Sequence, residues 1–212
     1  MKKPPTALGM WSSRNFASLN TYKSRIIDPS RYENEQFVLY SVPAYPAGEP
    51  EVLDSAQIGS TKQIVRANDV LVCKINPRIN RVWTVADHGQ FRVIASSEWI
   101  VFRVAGGDPR FFAHYFRSDQ FRELICDGVT GVGGSLTRAQ PVRVAQFAVP
   151  VAPENEQKRI ADKLDSLLAK VDACREHLDR VPQILKRFRQ SVLAAAVSGQ
   201  LTVEGRRGRG LP

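Results

Sequence analysis

The residues with the widest chemical repertoire lie between Lys74 and Trp83, in the run Lys-Ile-Asn-Pro-Arg-Ile-Asn-Arg-Val-Trp. Asn76, Pro77 and Asn80 favour an exposed turn between two strands, from which Lys74, Arg78 and Arg81 project beside two amides. Arg and Lys can bind phosphate or guanine, Asn76 and Asn80 can pair with adenine, and Trp83 can stack on a base. A second stretch, Gly128–Arg138, offers Thr130, Ser135, Thr137, Arg138 and glycine amides to a phosphate backbone. It lacks the Gly-Lys-Ser/Thr ending of a phosphate loop and the Gly-x-Gly-x-x-Gly of a dinucleotide fold. Other chemistry finds no seat. His88, His114 and His177 are isolated, and no Gly-x-Ser-x-Gly motif is present. Cys73, Cys126 and Cys174 are too far apart for a CxxC site. No catalytic residue and no metal site is therefore expected.

Composition is compatible with that surface chemistry. Thirty basic against twenty-one acidic side chains give a net charge of +9 in 212 residues, which favours a polyanionic partner. The excess is distributed: residues 1–152 carry 18 basic and 13 acidic side chains, and residues 153–212 carry 12 and 8. No apolar run is long enough to cross a membrane, and Met1–Pro5 leads into no apolar segment. The expectation is a cytoplasmic protein without a secretory leader or membrane partner.

The elements that must position these residues change character near Pro150–Pro153. Before it, Phe37–Val42, Asp69–Ile75, Arg81–Ala86, Phe91–Ala95, Trp99–Val104 and Val144–Val151 read as strands. Alternation along Trp99–Val104 predicts a half-buried strand. Asp108-Pro109 predicts a helix start, with Phe112, Tyr115 and Phe116 buried, and a second helix is expected over Asp119–Cys126, stopping at Gly128. Strands with short helices outside strict alternation indicate an α+β fold.

After Pro153 one pattern dominates. Ile160, Leu164, Leu167, Val171, Cys174, Leu178, Val181, Leu185, Phe188, Val192 and Ala195 follow 4-3 spacing, the seam of a coiled coil. Pro182 predicts a rod of roughly 42 Å from Glu154, a bend, and a shorter helix ending near Gly199. The expected organisation is a domain over 1–152, a helical arm over 153–199, and a tail over 200–212 without fixed structure.

Three C-terminal stretches carry a resemblance. They are Val151-Ala-Pro-Glu154-Asn-Glu156-Gln157-Lys-Arg159-Ile160 with Leu164-Asp165-Ser-Leu-Leu, then Val181–Ala196 with its Lys186-Arg187-Phe188-Arg189-Gln190-Ser191 core, and Ser198-Gly-Gln-Leu-Thr202. They resemble the spacer of type I restriction–modification specificity subunits. Asn68-Asp69-Val-Leu, Trp99-Ile-Val-Phe-Arg, Phe111–Ile125 and Thr130–Leu136 resemble that family's recognition domain. The resemblance covers residues 65–202.

It implies a DNA target recognition domain followed by a spacer helix. Its partners would be double-stranded DNA, a modification subunit using S-adenosylmethionine to methylate adenine, and a restriction subunit using ATP and Mg. The chain itself would be non-catalytic and bind no cofactor. One recognition domain and one spacer make it a half-subunit that pairs with a second copy or another half, or else a truncation. Two other readings stand beside it. Asn76-Pro77-Arg78-Ile79 half resembles the methyltransferase motif Asn-Pro-Pro-aromatic, as in a divergent methyltransferase fragment. The helix would equally suit a coiled-coil adaptor whose head binds protein.

Overall fold

The computed structural model describes residues 11–127 and 137–199. The chain separates into two units, the first ending at Asp162 and the second beginning at Lys163. In chain order the elements are β1 (Ser12–Asn15), α1 (Phe16–Leu19), β2 (Ile26–Ile27), β3 (Gln36–Tyr40), β4 (Glu51–Asp54) and β5 (Lys62–Ile64). Then follow β6 (Val70–Cys73), β7 (Val82–Thr84), β8 (Arg92–Ala95), β9 (Trp99–Phe102), α2 (Pro109–Arg117), α3 (Asp119–Cys126), α4 (Pro141–Val144), β10 (Ala148–Val151) and α5 (Glu154–Val197).

The first unit is layered, and strand periodicity explains how. Side chains of a strand point alternately to opposite faces, so a strand apolar at every position needs a core on each side. β9 is such a strand. Ile100 and Phe102 enter a core with Phe16, Phe111, Phe112, Phe116 and Phe121 from the helices. Trp99 and Val101 enter a second core, shared with Val38, Tyr40, Val93 and Ala95. The half-buried strand expected at 99–104 is therefore corrected: Trp99 to Phe102 are all buried, because helices cover one face and a second sheet the other.

The two sheets that sandwich the second core differ in topology. One has the order β7-β6-β9, all antiparallel. The other has the order β2-β5-β8-β3-β4 and contains one parallel pair, β3 with β8. Its outer face carries Phe37, Leu39 and Ile94 into a third cluster with Ile27 and Ile58. These layers of mixed strands and short helices make an α+β fold.

Local chemistry accounts for the helix boundaries. Asp108 accepts from the Arg110 amide at 2.9 Å and Pro109 opens α2, as the sequence predicts. Ser118 caps α3 through the Phe121 amide. Burial would raise the Asp108 carboxyl, but hydrogen bonds from the Arg110 side chain and amide, with its charge, hold it below the ordinary 3.8. A lowered folded-state pKa stabilises the fold above the unfolded value, and that contribution is lost as pH falls through the folded one. Acid titration below about pH 4 should therefore loosen the first turn of α2, and Asp108→Asn should flatten that part of the stability–pH profile, read by thermal denaturation.

Two boundaries differ from expectation. The strand expected over Val144–Val151 is two elements: Pro141 starts the short helix α4, and only Ala148–Val151 pairs, antiparallel with β1. The bend expected at Pro182 does not divide the helix, because α5 is helical through Pro182 for 44 residues, about 66 Å. Proline's fixed φ suits a helix; its missing amide and its ring displace the bond to the Leu178 carbonyl, and Leu178 is 67% exposed. Ser198 and Gly199 end it, Gly199 with φ +72.

α5 contributes its first two turns to the first unit, where Gln157 and Ala161 are buried and Ile160 packs on the helical core. In the second unit the apolar seam is open. Leu167, Val171, Leu178, Val181, Leu185, Phe188 and Val192 are 38 to 67% exposed, Cys174 is exposed, and Leu164 is half-buried.

Candidate nucleic-acid interface

The Lys74–Trp83 segment forms the turn the sequence predicts, between β6 and β7. Pro77–Ile79 make one turn of 3-10 helix flanked by Asn76 and Asn80, both left-handed, with φ +48 and +51. Asparagine tolerates that conformation better than other side-chain-bearing residues, which explains the pair. The Ile79 and Asn80 amides close the turn on the Asn76 and Pro77 carbonyls. The Asn76 amide donates to the Thr137 carbonyl at 2.9 Å, and Ile75 bridges Arg138. The turn and the end of the 128–138 stretch are thus one surface.

The candidate side chains are not equally free to act. Arg78 is exposed at the turn and lines an open cavity of about 260 Å³ with Arg122, Glu123 and Cys126 of α3. Burial pushes the Cys126 thiol up, and the Arg78 and Arg122 guanidiniums oppose that. Arg81 is turned back, its Nη1 donating to the Ile75 carbonyl at 3.3 Å. Trp83 is half-buried and edge-on to Tyr40 at 4.7 Å and Tyr45 at 5.5 Å, so its ring packs on the inter-sheet core. Lys74 faces another cavity, of about 370 Å³, with Asn20, Tyr22 and Gln63. Asn76 Oδ1 is buried and has no hydrogen-bond partner among the described residues.

Thr137 is buried, and its carbonyl is the acceptor for Asn76. Arg138 pairs with Glu98 at 3.0 Å, both side chains partly exposed, a geometry that contributes little stability and leaves the guanidinium exchangeable. Thr130 and Ser135 lie outside the described residues. Among the described residues, no cluster of His, Cys, Asp or Glu could hold a metal, and no helix is long and apolar enough to cross a membrane.

Sequence reasoning missed Arg122 beside the turn, and it offers Glu98, with Asp87, only as an ion-pair partner of Arg78 and Arg81. Arg122 was legible in principle: four residues before Cys126 on a capped helix, it must share that residue's face. That Glu98 holds Arg138 instead had no local signal, since strand register alone brings the two together.

Comparison with known proteins adds to this geometry. No protein-family model matches the chain. It is 45% identical over 94 residues to the type I restriction enzyme StySPI specificity subunit of Salmonella potsdam, covering 44% of this chain and 20% of that one. The EcoKI specificity subunit of Escherichia coli K12 is 42% identical over 96 residues, with 45% and 20% covered. The EcoBI specificity subunit of Escherichia coli is 62% identical over 56 residues, 26% of this chain and 12% of that one. The matched stretches thus span a fifth or less of these relatives.

Among solved structures, the HsdS subunit from Thermoanaerobacter tengcongensis superposes with a TM-score of 0.67 at 22% identity, over 83% of this chain and 45% of that one. A chain from a structure of type I R-M complex assembly and conformational transition superposes with a TM-score of 0.71 at 21% identity, over 92% and 50%. At such identities these matches establish the fold alone, over about half of the neighbours' length. In sequence, over 26 to 45% of its length, the chain is similar to type I restriction enzyme specificity subunits.

Proposed function

We propose that the chain is a DNA-recognition half-subunit of a type I restriction–modification complex. In this reading residues 1–152 read the target, 153–199 form the spacer and assembly arm, and 200–212 are an appended tail. The sequence identity to named specificity subunits carries the proposal, and the exposed seam of α5 and the basic turn at Arg78 support it. The chain is itself non-catalytic. A modification subunit with S-adenosylmethionine would methylate adenine, and a restriction subunit with ATP and Mg would cleave, in the cytoplasm. In this reading a second copy, or another half-subunit, would pair with it through the exposed seam.

The physical logic follows from the parts. A basic body gains affinity by releasing counterions from the duplex, and a few side chains read base edges. Two mutants separate these roles. Arg78→Ala should cost ~1–3 kcal/mol on the selected site and relax its base preference, whereas Arg138→Ala should weaken all duplexes alike and lower the salt slope by about one. Both are read by salt titration of binding to duplexes selected from a random pool. Unchanged affinity and preference in a folded Arg78→Ala would move the readout elsewhere on the domain. Methyl transfer or cleavage by the purified chain alone would refute the non-catalytic reading.

A further inference from the structure

The start of α5 is held by an arrangement that the DNA reading does not require and the seam does not explain. Gln157 is 2% exposed although it is a long polar side chain on the second turn of a surface helix. Its Oε1 accepts from the Asp108 amide at 3.0 Å, and its Nε2 donates to the Ala152 carbonyl at 2.7 Å. One side-chain amide therefore ties three chain segments: the link after β9, the end of β10 and α5 itself.

The link is shaped to receive it. Gly107 has φ +88, and a Cβ there would stand 2.5 Å from Gln157 Oε1, so both the backbone conformation and the space demand glycine. A Cβ on Gly106 would come within 3.3 Å of Glu154 Oε1. Asp108, whose amide Gln157 accepts, is the cap of α2, and Arg110 pairs with both Asp108 at 2.6 Å and Asp162 at 2.8 Å. Trp11 donates to Glu156 at 3.1 Å and packs edge-on against Phe111 of α2.

We propose that Gln157 is a positioning residue: it clamps the first two turns of α5 to the capped start of α2, so that Asp108–Phe112 and Glu154–Asp162 move as one body. Only a side chain with one donor and one acceptor in a fixed plane can do this. A carboxylate of the same shape would still accept from Asp108 but would set its second oxygen against the Ala152 carbonyl. Alanine would leave both backbone groups buried without a partner. The consequence rests on the DNA reading above: if the domain reads bases, the clamp holds that reader to the helix that spaces it from another.

The test compares Gln157→Glu and Gln157→Ala with the wild-type full chain, first by amide hydrogen exchange. The expected result is a tenfold or greater loss of protection at 108–112 and 156–161 together, with α3 unchanged. Gln157→Glu keeps the side chain's volume and stays interpretable if Gln157→Ala does not fold. Protection unchanged in Gln157→Glu, or lost in only one of the two segments, overturns the clamp. The second arm selects duplexes from a random pool with the wild-type chain and with Gln157→Glu. The variant should keep the same bases and tolerate a wider range of distances between their two groups. Equal spacing in both overturns the positioning role. A wild-type chain that selects no sequence instead overturns the DNA reading, while the exchange result still decides the clamp.

Discussion

Replacing Leu167, Leu178 and Phe188 together with Asp should abolish pairing of α5 with another long helix and leave the first unit folded. The three side chains are 46%, 67% and 65% exposed, so the isolated chain loses no core when they change. In a coiled coil each would be buried, a gain of roughly 1.5–3 kcal/mol per side chain. A carboxylate in that position has no partner and is desolvated at a cost of several kcal/mol, so three should exceed any ordinary association energy. Sedimentation of the chain alone, and co-purification with a candidate modification subunit, measure the effect. If both partners still associate at wild-type strength, the seam serves neither of them, and the assembly role assigned to α5 is wrong. Circular dichroism should show α2 and the sheets intact in the same variant.

The second large effect is expected inside the first unit, at Asp69→Ala. Asp69 is fully buried and grips Arg103 in two hydrogen bonds of 2.6 Å each, while also accepting from the Arg66 amide. It follows Asn68, whose φ of +70 turns the chain into β6. Arg103 leaves β9 and lies over the Tyr22 ring at 5.1 Å, so the pair joins three segments. Removing one partner of a buried pair costs about 3–5 kcal/mol, and Arg103's partial exposure puts the expected loss at the lower end. Chemical denaturation should show a lower midpoint at an unchanged slope. A loss under about 0.5 kcal/mol would mean that Arg103 finds equivalent partners in water. Double substitution with Arg103→Met should recover part of the loss, because no charge is then left uncompensated.

These two sites illustrate what the sequence makes legible. The seam is a periodicity, and periodicity survives without knowledge of any tertiary contact. Caps are equally local, and for that reason Asp108-Pro109 and Ser118 mark α2 and α3 correctly. By contrast β2, β4 and β5 are only two to four residues long, and β4 and β5 mix polar with apolar residues, so no window around them carries enough pattern to reveal them. The parallel pairing of β3 with β8 joins residues some 55 apart, which no local rule contains. Burial of the second face of β9 comes from Val38, Tyr40, Val93 and Ala95 of β3 and β8, strands legible one by one whose packing onto β9 is not.

The candidate interface divides in the same way. The turn and its two left-handed asparagines follow from residue type. Whether each cation stays free does not. Arg81 folds back on Ile75, and Glu98 captures Arg138, because β6 pairs with β9 in a register that places Glu98 beside Lys74. Trp83 reads as a stacking platform in isolation, but the inter-sheet core needs a large aromatic there.

The outer edge of β9 is closed without a strand. Gln63 Nε2 donates to the Trp99 carbonyl at 3.0 Å, and Asn20 Nδ2 donates to the Val101 carbonyl at 2.9 Å. Asn20 Oδ1 also accepts from the Arg103 amide, and the Thr21 amide donates to the Arg103 carbonyl. An open edge is a template on which another chain can add a strand, and such addition leads to fibres rather than defined complexes. Here that template is occupied by the Gln63 and Asn20 side-chain amides, the Thr21 main-chain amide and a single bridge from Asn20 to Val104, which extend no further ladder. Copies of this chain crowded together are thereby denied edge-to-edge growth along β9, and association is left to surfaces that can saturate.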